Sequence, residues 1–68
     1  MSEWVVMESF TKEELEKGEV DGQGLYEKWL NVADDMALIP ENNVTVDEEN
    51  DVIRVKVSTV LYDCMAGR

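Results

Sequence analysis

Histidine is absent from these 68 residues, and cysteine and proline occur once each. Without histidine the chain has no Ser-His or Cys-His nucleophile pair and no imidazole general base. The lone Cys64 permits no internal disulfide and no paired-cysteine zinc motif. A small chain without disulfides suits a reducing compartment, so a cytoplasmic location is expected. Long apolar runs are missing too. No stretch approaches the roughly 20 residues of a membrane-spanning helix, and "MSEWVVMESF" opens acidic where a secretion signal opens basic. The opening Met-Ser-Glu reads as a natural start, and a single small acidic domain over residues 1–68 is expected.

Positive charge is scarce. Six Lys and Arg stand against 16 Asp and Glu, a formal net charge of −10. The imbalance is uneven: seven acids and two lysines in residues 1–24 give −5, and eight acids with Lys28 in residues 25–51 give −7. Residues 52–68 hold Asp63 against Arg54, Lys56 and Arg68, net +2. A field of this sign repels nucleic-acid phosphates and anionic membranes, so direct binding to either is disfavoured. A basic protein is the partner such a surface favours.

What is present suffices for a fold. With 44% hydrophobic residues the chain is too apolar for a disordered acidic tail. At this length a core yields no more than about 3–5 kcal/mol of net stability. "EWVVME" is β-branched and aromatic and predicts a strand, with Trp4 and Val6 on one face and Val5 and Met7 on the other. Thr11 and Glu14 form a capping-box signature for a short helix that Gly18 would stop. "VDGQG" reads as a loop. Beyond it Leu25, Tyr26, Trp29, Leu30, Ala33, Met36 and Ala37 recur at helical spacing until Pro40, which marks the main helix.

The stretch "VTVDEENDVIRVKVSTV" then predicts a hairpin whose connection is the acidic run at 47–51. In the long last strand Ile53, Val55, Val57, Thr59 and Leu61 would share one face, and Arg54, Lys56, Ser58, Val60 and Tyr62 the other. The expected fold is α+β, in the order β-α-α-β-β. A three-stranded antiparallel sheet, last strand central, would carry one main and one short helix on one face. That face would hold Trp4, Val6, Val44, Val46, Ile53, Val55 and Val57.

Several sharper chemistries fail on spacing. Asp47, Glu49 and Asp51 alternate as in a calcium loop, but Val52 stands where its glycine and Ser58 where its closing glutamate belong. No glycine-rich phosphate loop occurs, and Cys64 has no basic neighbour nearer than Arg68 to activate it. No metal, cofactor or catalytic residue is assigned, and enzymatic activity is not expected. Tyr26, Trp29 and Trp4 fit a core better than a base-stacking platform.

The acids themselves are the first functional candidate. Carboxylates three or four apart on a helix lie about 5–6 Å from each other, near the separation of phosphates along one strand. Glu27, Asp34 and Asp35 could form one row; Glu13, Glu16, Glu19 and Asp21 another; Asp47, Glu48, Glu49 and Asp51 a tip. The reading is a small acidic protein that inhibits or modulates a nucleic-acid-handling protein. It would be a DNA mimic of the kind phages encode, acting then in the host cytoplasm. The alternative is a structural or adaptor protein that assembles as a homodimer or by sheet-edge pairing, with Val5, Met7, Val60 and Tyr62 as its exposed apolar contact.

Overall fold

The computed structural model describes residues 4–66. Glu3, the expected first residue of the first strand, and Arg68 lie outside the described residues. The fold is α+β, a three-stranded antiparallel sheet with helices. In chain order it comprises β1 (Trp4–Thr11), α1 (Lys12–Glu16), α2 (Gly22–Asp35), α3 (Pro40–Asn43), β2 (Val44–Glu49), β3 (Val52–Ser58) and α4 (Thr59–Ala66). Strand order is β1-β3-β2, so β3 is central and antiparallel to both neighbours, as expected. Four helices are present among the described residues where two were expected. No helix among the described residues is long and apolar enough to cross a membrane.

Local signals fix α1. Thr11 accepts from the Glu14 backbone N–H at 3.0 Å while the Glu14 side chain accepts from the Thr11 N–H at 2.9 Å, a complete capping box. Gly18 leaves the helix at φ 75, where glycine carries no Cβ penalty. Asp21 corrects the loop expected over 20–24. Its carboxylate accepts from the Gly24 N–H at 3.0 Å and caps α2, so the helix already begins at Gly22.

At its other end α2 stops before Pro40. Leu38 N–H donates to the Ala33 carbonyl and Ala37 N–H to the Asp34 carbonyl, a Schellman closure. Ala37, expected on the buried stripe, is instead the exposed left-handed residue of that closure, at φ 62. An alanine there carries about 1–2 kcal/mol of steric cost, partly offset by glycine's greater unfolded-state entropy. Ala37→Gly is therefore expected to stabilise the domain by about 0.5–1 kcal/mol in urea denaturation. An unchanged or lower midpoint would refute the strain.

The sheet corrects the expected facing of β1. A bulge between Val6 and Glu8 lets Met7 fall out of register, and Phe10 pairs with Ile53 on the core side. Because side chains alternate, one extra residue inverts which set is buried before it. Val5, opposite Val57, and Met7 pack against the core, whereas Trp4 and Val6 are 38% and 47% exposed on the other face. The core itself is Phe10, Trp29, Ala33, Val44, Val55, Val57 and Leu61. Val46 points to the core side but is 43% exposed, at the margin that α2 leaves uncovered.

The last strand also ends early. Ser58 Oγ accepts from the Leu61 N–H at 3.0 Å and donates to Asn43 Oδ1 at 2.6 Å, which turns the chain into α4. Thr59 through Tyr62 are helical, and Leu61 is fully buried. The hairpin connection likewise shortens to two residues. Asn50 and Asp51, at φ 54 and 65, make the tight turn whose left-handed pair matches strand twist. Asp47, Glu48 and Glu49 belong to β2 itself.

Candidate protein-binding surface

The predicted acidic residues fall into two populations. Those of the hairpin are engaged within the protein. Asp47 lies opposite Arg54 in the register, on the face turned from the core, and forms ion pairs with Lys56 and with Arg54 Nε at 3.4 Å. Glu49 accepts from Arg54 Nη2 at 3.0 Å on the same face. Glu48 points to the opposite side and pairs with Lys12 Nζ at 3.2 Å. Asp51 accepts the Lys12 N–H through its backbone carbonyl at 2.9 Å. The three carboxylates of β2 thus diverge across two faces. Alternation along a strand, not convergence around a loop, is what their spacing produced.

Asp47 is the most strongly held of them. The Lys56 ammonium keeps its carboxyl below the ordinary carboxylate range against the opposing cost of desolvation, with a lesser contribution from Arg54. A carboxyl depressed in the folded state contributes stability above its unfolded pKa, and that contribution fades as pH falls through its folded value. Asp47→Asn is expected to be less stable than wild type at pH 7, with the gap closing below about pH 4. Chemical denaturation of both chains across that range checks it; a gap constant with pH would place the effect in packing.

The second population belongs to the helices. Glu27 accepts from Gln23 Nε2 at 2.9 Å and meets no cation among the described residues. It is seven residues from Asp34, which puts both on one side of α2, about 10 Å apart along its axis. Asp34 and Asp35 occupy the last turn, where no basic residue is present. Glu41 follows in α3, and Glu16 and Glu19 lie at and just after the end of α1. Glu16, Glu19, Asp34, Asp35 and Glu41 are exposed and make neither ion pairs nor side-chain hydrogen bonds among the described residues. In the second expected row, Glu13 is tied to Lys17 at 3.1 Å and Asp21 serves as a helix cap.

The cations explain the division. Lys12, Lys17, Lys28, Arg54 and Lys56, all the cations of the described residues, each pair with an acid. Lys28 reaches Glu8 Oε2 at 3.7 Å and lies 4.9 Å from the centre of the Trp29 ring, while Glu8 accepts from Trp29 Nε1 at 3.2 Å. Trp29 is therefore a core residue with its polar edge satisfied.

The alternative apolar set does not form one surface. Val5 and Met7 turn inward, whereas Val60 and Tyr62 stand on α4, 56% and 40% exposed. The sheet face presents Trp4 and Val6 in their place. Sequence reasoning also missed an open apolar groove beside the start of α2, bordered by Leu15, Tyr26 and Val46. The signal for it is Gly22, which by sequence alone reads as a loop residue. Set beside the known protein families, curated proteins and solved structures, the chain matches none.

Proposed function

We propose that this chain is a small acidic binding module that occupies a basic, nucleic-acid-binding surface of another protein and thereby inhibits or modulates it. The observation that carries the reading is the division of charge. Every described cation is consumed by an acid of the hairpin, α1 or β1, and among the described residues Asp34, Asp35, Glu41 and Glu19 remain uncompensated. Two of these, Asp34 and Asp35, end α2 where the helix dipole opposes negative charge. A domain with a small core bears that cost at a position where folding gains nothing from it. Lys and Arg side chains lining a nucleic-acid channel would meet the row Glu27, Asp34, Asp35 in place of phosphates. Phage-type inhibitors of host enzymes work in this way, and the cytoplasm, or the host cytoplasm, is where such a partner is met.

Capture of partners by the tagged chain from native lysate, washed at low and high salt, tests the proposal. A nucleic-acid-binding protein held at low salt, released at high salt and displaced by duplex DNA is the expected result. Partners indifferent to salt and DNA would refute it.

A second reading is self-association through the sheet face, favoured by the exposure of Trp4 and Val6 at 38% and 47%. It predicts a dimer that survives high salt and is lost in Val6→Lys. Sedimentation equilibrium distinguishes the two.

A further inference from the structure

The helix-bearing side of the sheet is not fully covered. Where α2 begins, a groove of about 350 Å³ is floored by Phe10, Ile53 and Val55 and walled by Leu15, Tyr26 and Val46. Leu15 and Val46 are 40% and 43% exposed there. Gly22 shapes the hollow: a Cβ at that position would stand 2.9 Å from Phe10 Cζ and 3.1 Å from Leu15 Cδ1. No charged residue among those described lines it.

Its surroundings are negative. Asp21 caps the helix immediately before Gly22, and Gln23, a lining residue, holds the Glu27 carboxylate. Glu48 lies opposite Ile53 in the register and so on the same side of the sheet. The cation at this end, Lys12, is spent on Glu48. Glu48, Asp51 and Glu16 together raise the Lys12 pKa, which reports the sign of the local field.

We infer that this groove receives one or two apolar side chains of a basic peptide segment of the protein partner, a Leu, Ile, Phe or Met flanked by Lys and Arg. The inference rests on the reading of the chain as a binder of basic protein and adds to it an apolar anchor. Complementary charge supplies encounter rate and salt dependence, whereas a side chain filling a pocket supplies most of the affinity and the selectivity. The volume lies at the lower end for ligand sites and suits side chains better than a whole small molecule. A neutral or acidic segment would forgo or oppose the rim charges, and a second copy of a chain at −10 is repelled by them.

Selection of a random peptide library on the full chain, compared with Leu15→Gln/Val46→Thr, tests this. Both substitutions are at exposed positions, and amide NMR spectra verify their fold. Expected are enriched peptides that combine Lys or Arg with apolar anchors and shift the Leu15, Tyr26 and Val46 amides. They should bind the double variant about 10-fold or more weakly. Replacing the peptide anchors by Ala should lower affinity for the wild type equally, which keeps the test valid should the variant not fold. Basic peptides enriched without anchors, or bound equally by the variant, would overturn the groove and leave the acidic-surface reading standing. Apolar peptides enriched without basic residues, or no enrichment at all, would overturn both.

Discussion

Leu61→Ala is expected to leave the domain largely unfolded at 25 °C. Leu61 is fully buried and is the residue by which α4 enters the core alongside Val55 and Val57. Removing a buried leucine side chain costs about 2–5 kcal/mol. A domain of this size holds only about 3–5 kcal/mol in total. The adjoining Val60, 56% exposed, is the control: Val60→Ala should change stability by no more than about 0.5 kcal/mol. Urea denaturation followed by circular dichroism measures both. Were the residues from 59 onward a solvent-exposed continuation of β3, the two substitutions would have comparable small effects. A Leu61→Ala chain within about 1 kcal/mol of wild type would therefore remove α4 from the core.

Asp34→Lys/Asp35→Lys is expected to move stability and binding in opposite directions. Both residues end α2, where negative charge meets the negative end of the helix dipole and no cation among the described residues relieves it. Reversal replaces an adverse interaction by a favourable one, gaining about 1 kcal/mol at low salt, or a few degrees in Tm. The gain should shrink as salt rises, because exposed charges are screened over about 8 Å at 0.15 M. Binding to a basic partner should weaken about 10-fold or more at low salt, with a shallower salt dependence. Thermal scans and titration against the captured partner provide the two readings. A variant both more stable and equally able to bind would reduce these acids to solubility. The hairpin acids make poorer probes, since reversing Asp47 or Glu49 would strand Arg54 and Lys56.

How much of this was legible beforehand depended on the range of the contact involved. The α1 capping box, the amphipathic stripe of α2, the alternation of Ile53, Val55 and Val57 against Arg54 and Lys56, and the central place of β3 were all readable. The candidate acids were identifiable by position, but their division into paired and unpaired sets was not. That division turns on cross-strand neighbours such as Asp47 and Lys56, which only the register brings together.

The sequence by itself determined the element types that rest on residues three or four apart, the antiparallel α+β plan and a surplus of negative charge. Tertiary structure decided which face of β1 is buried, because the bulge at Met7 serves the pairing of Phe10 with Ile53 and reverses the alternation before it. It also decided that 59–66 form a helix. The β-branched and aromatic residues at 59–62 favour a strand by local propensity, whereas the bond of Ser58 to Asn43 and the burial of Leu61 favour α4. Local preferences amount to tenths of a kcal/mol per residue, whereas one buried leucine contributes about 1.5–3 kcal/mol. Where the two disagree, the distant contact wins.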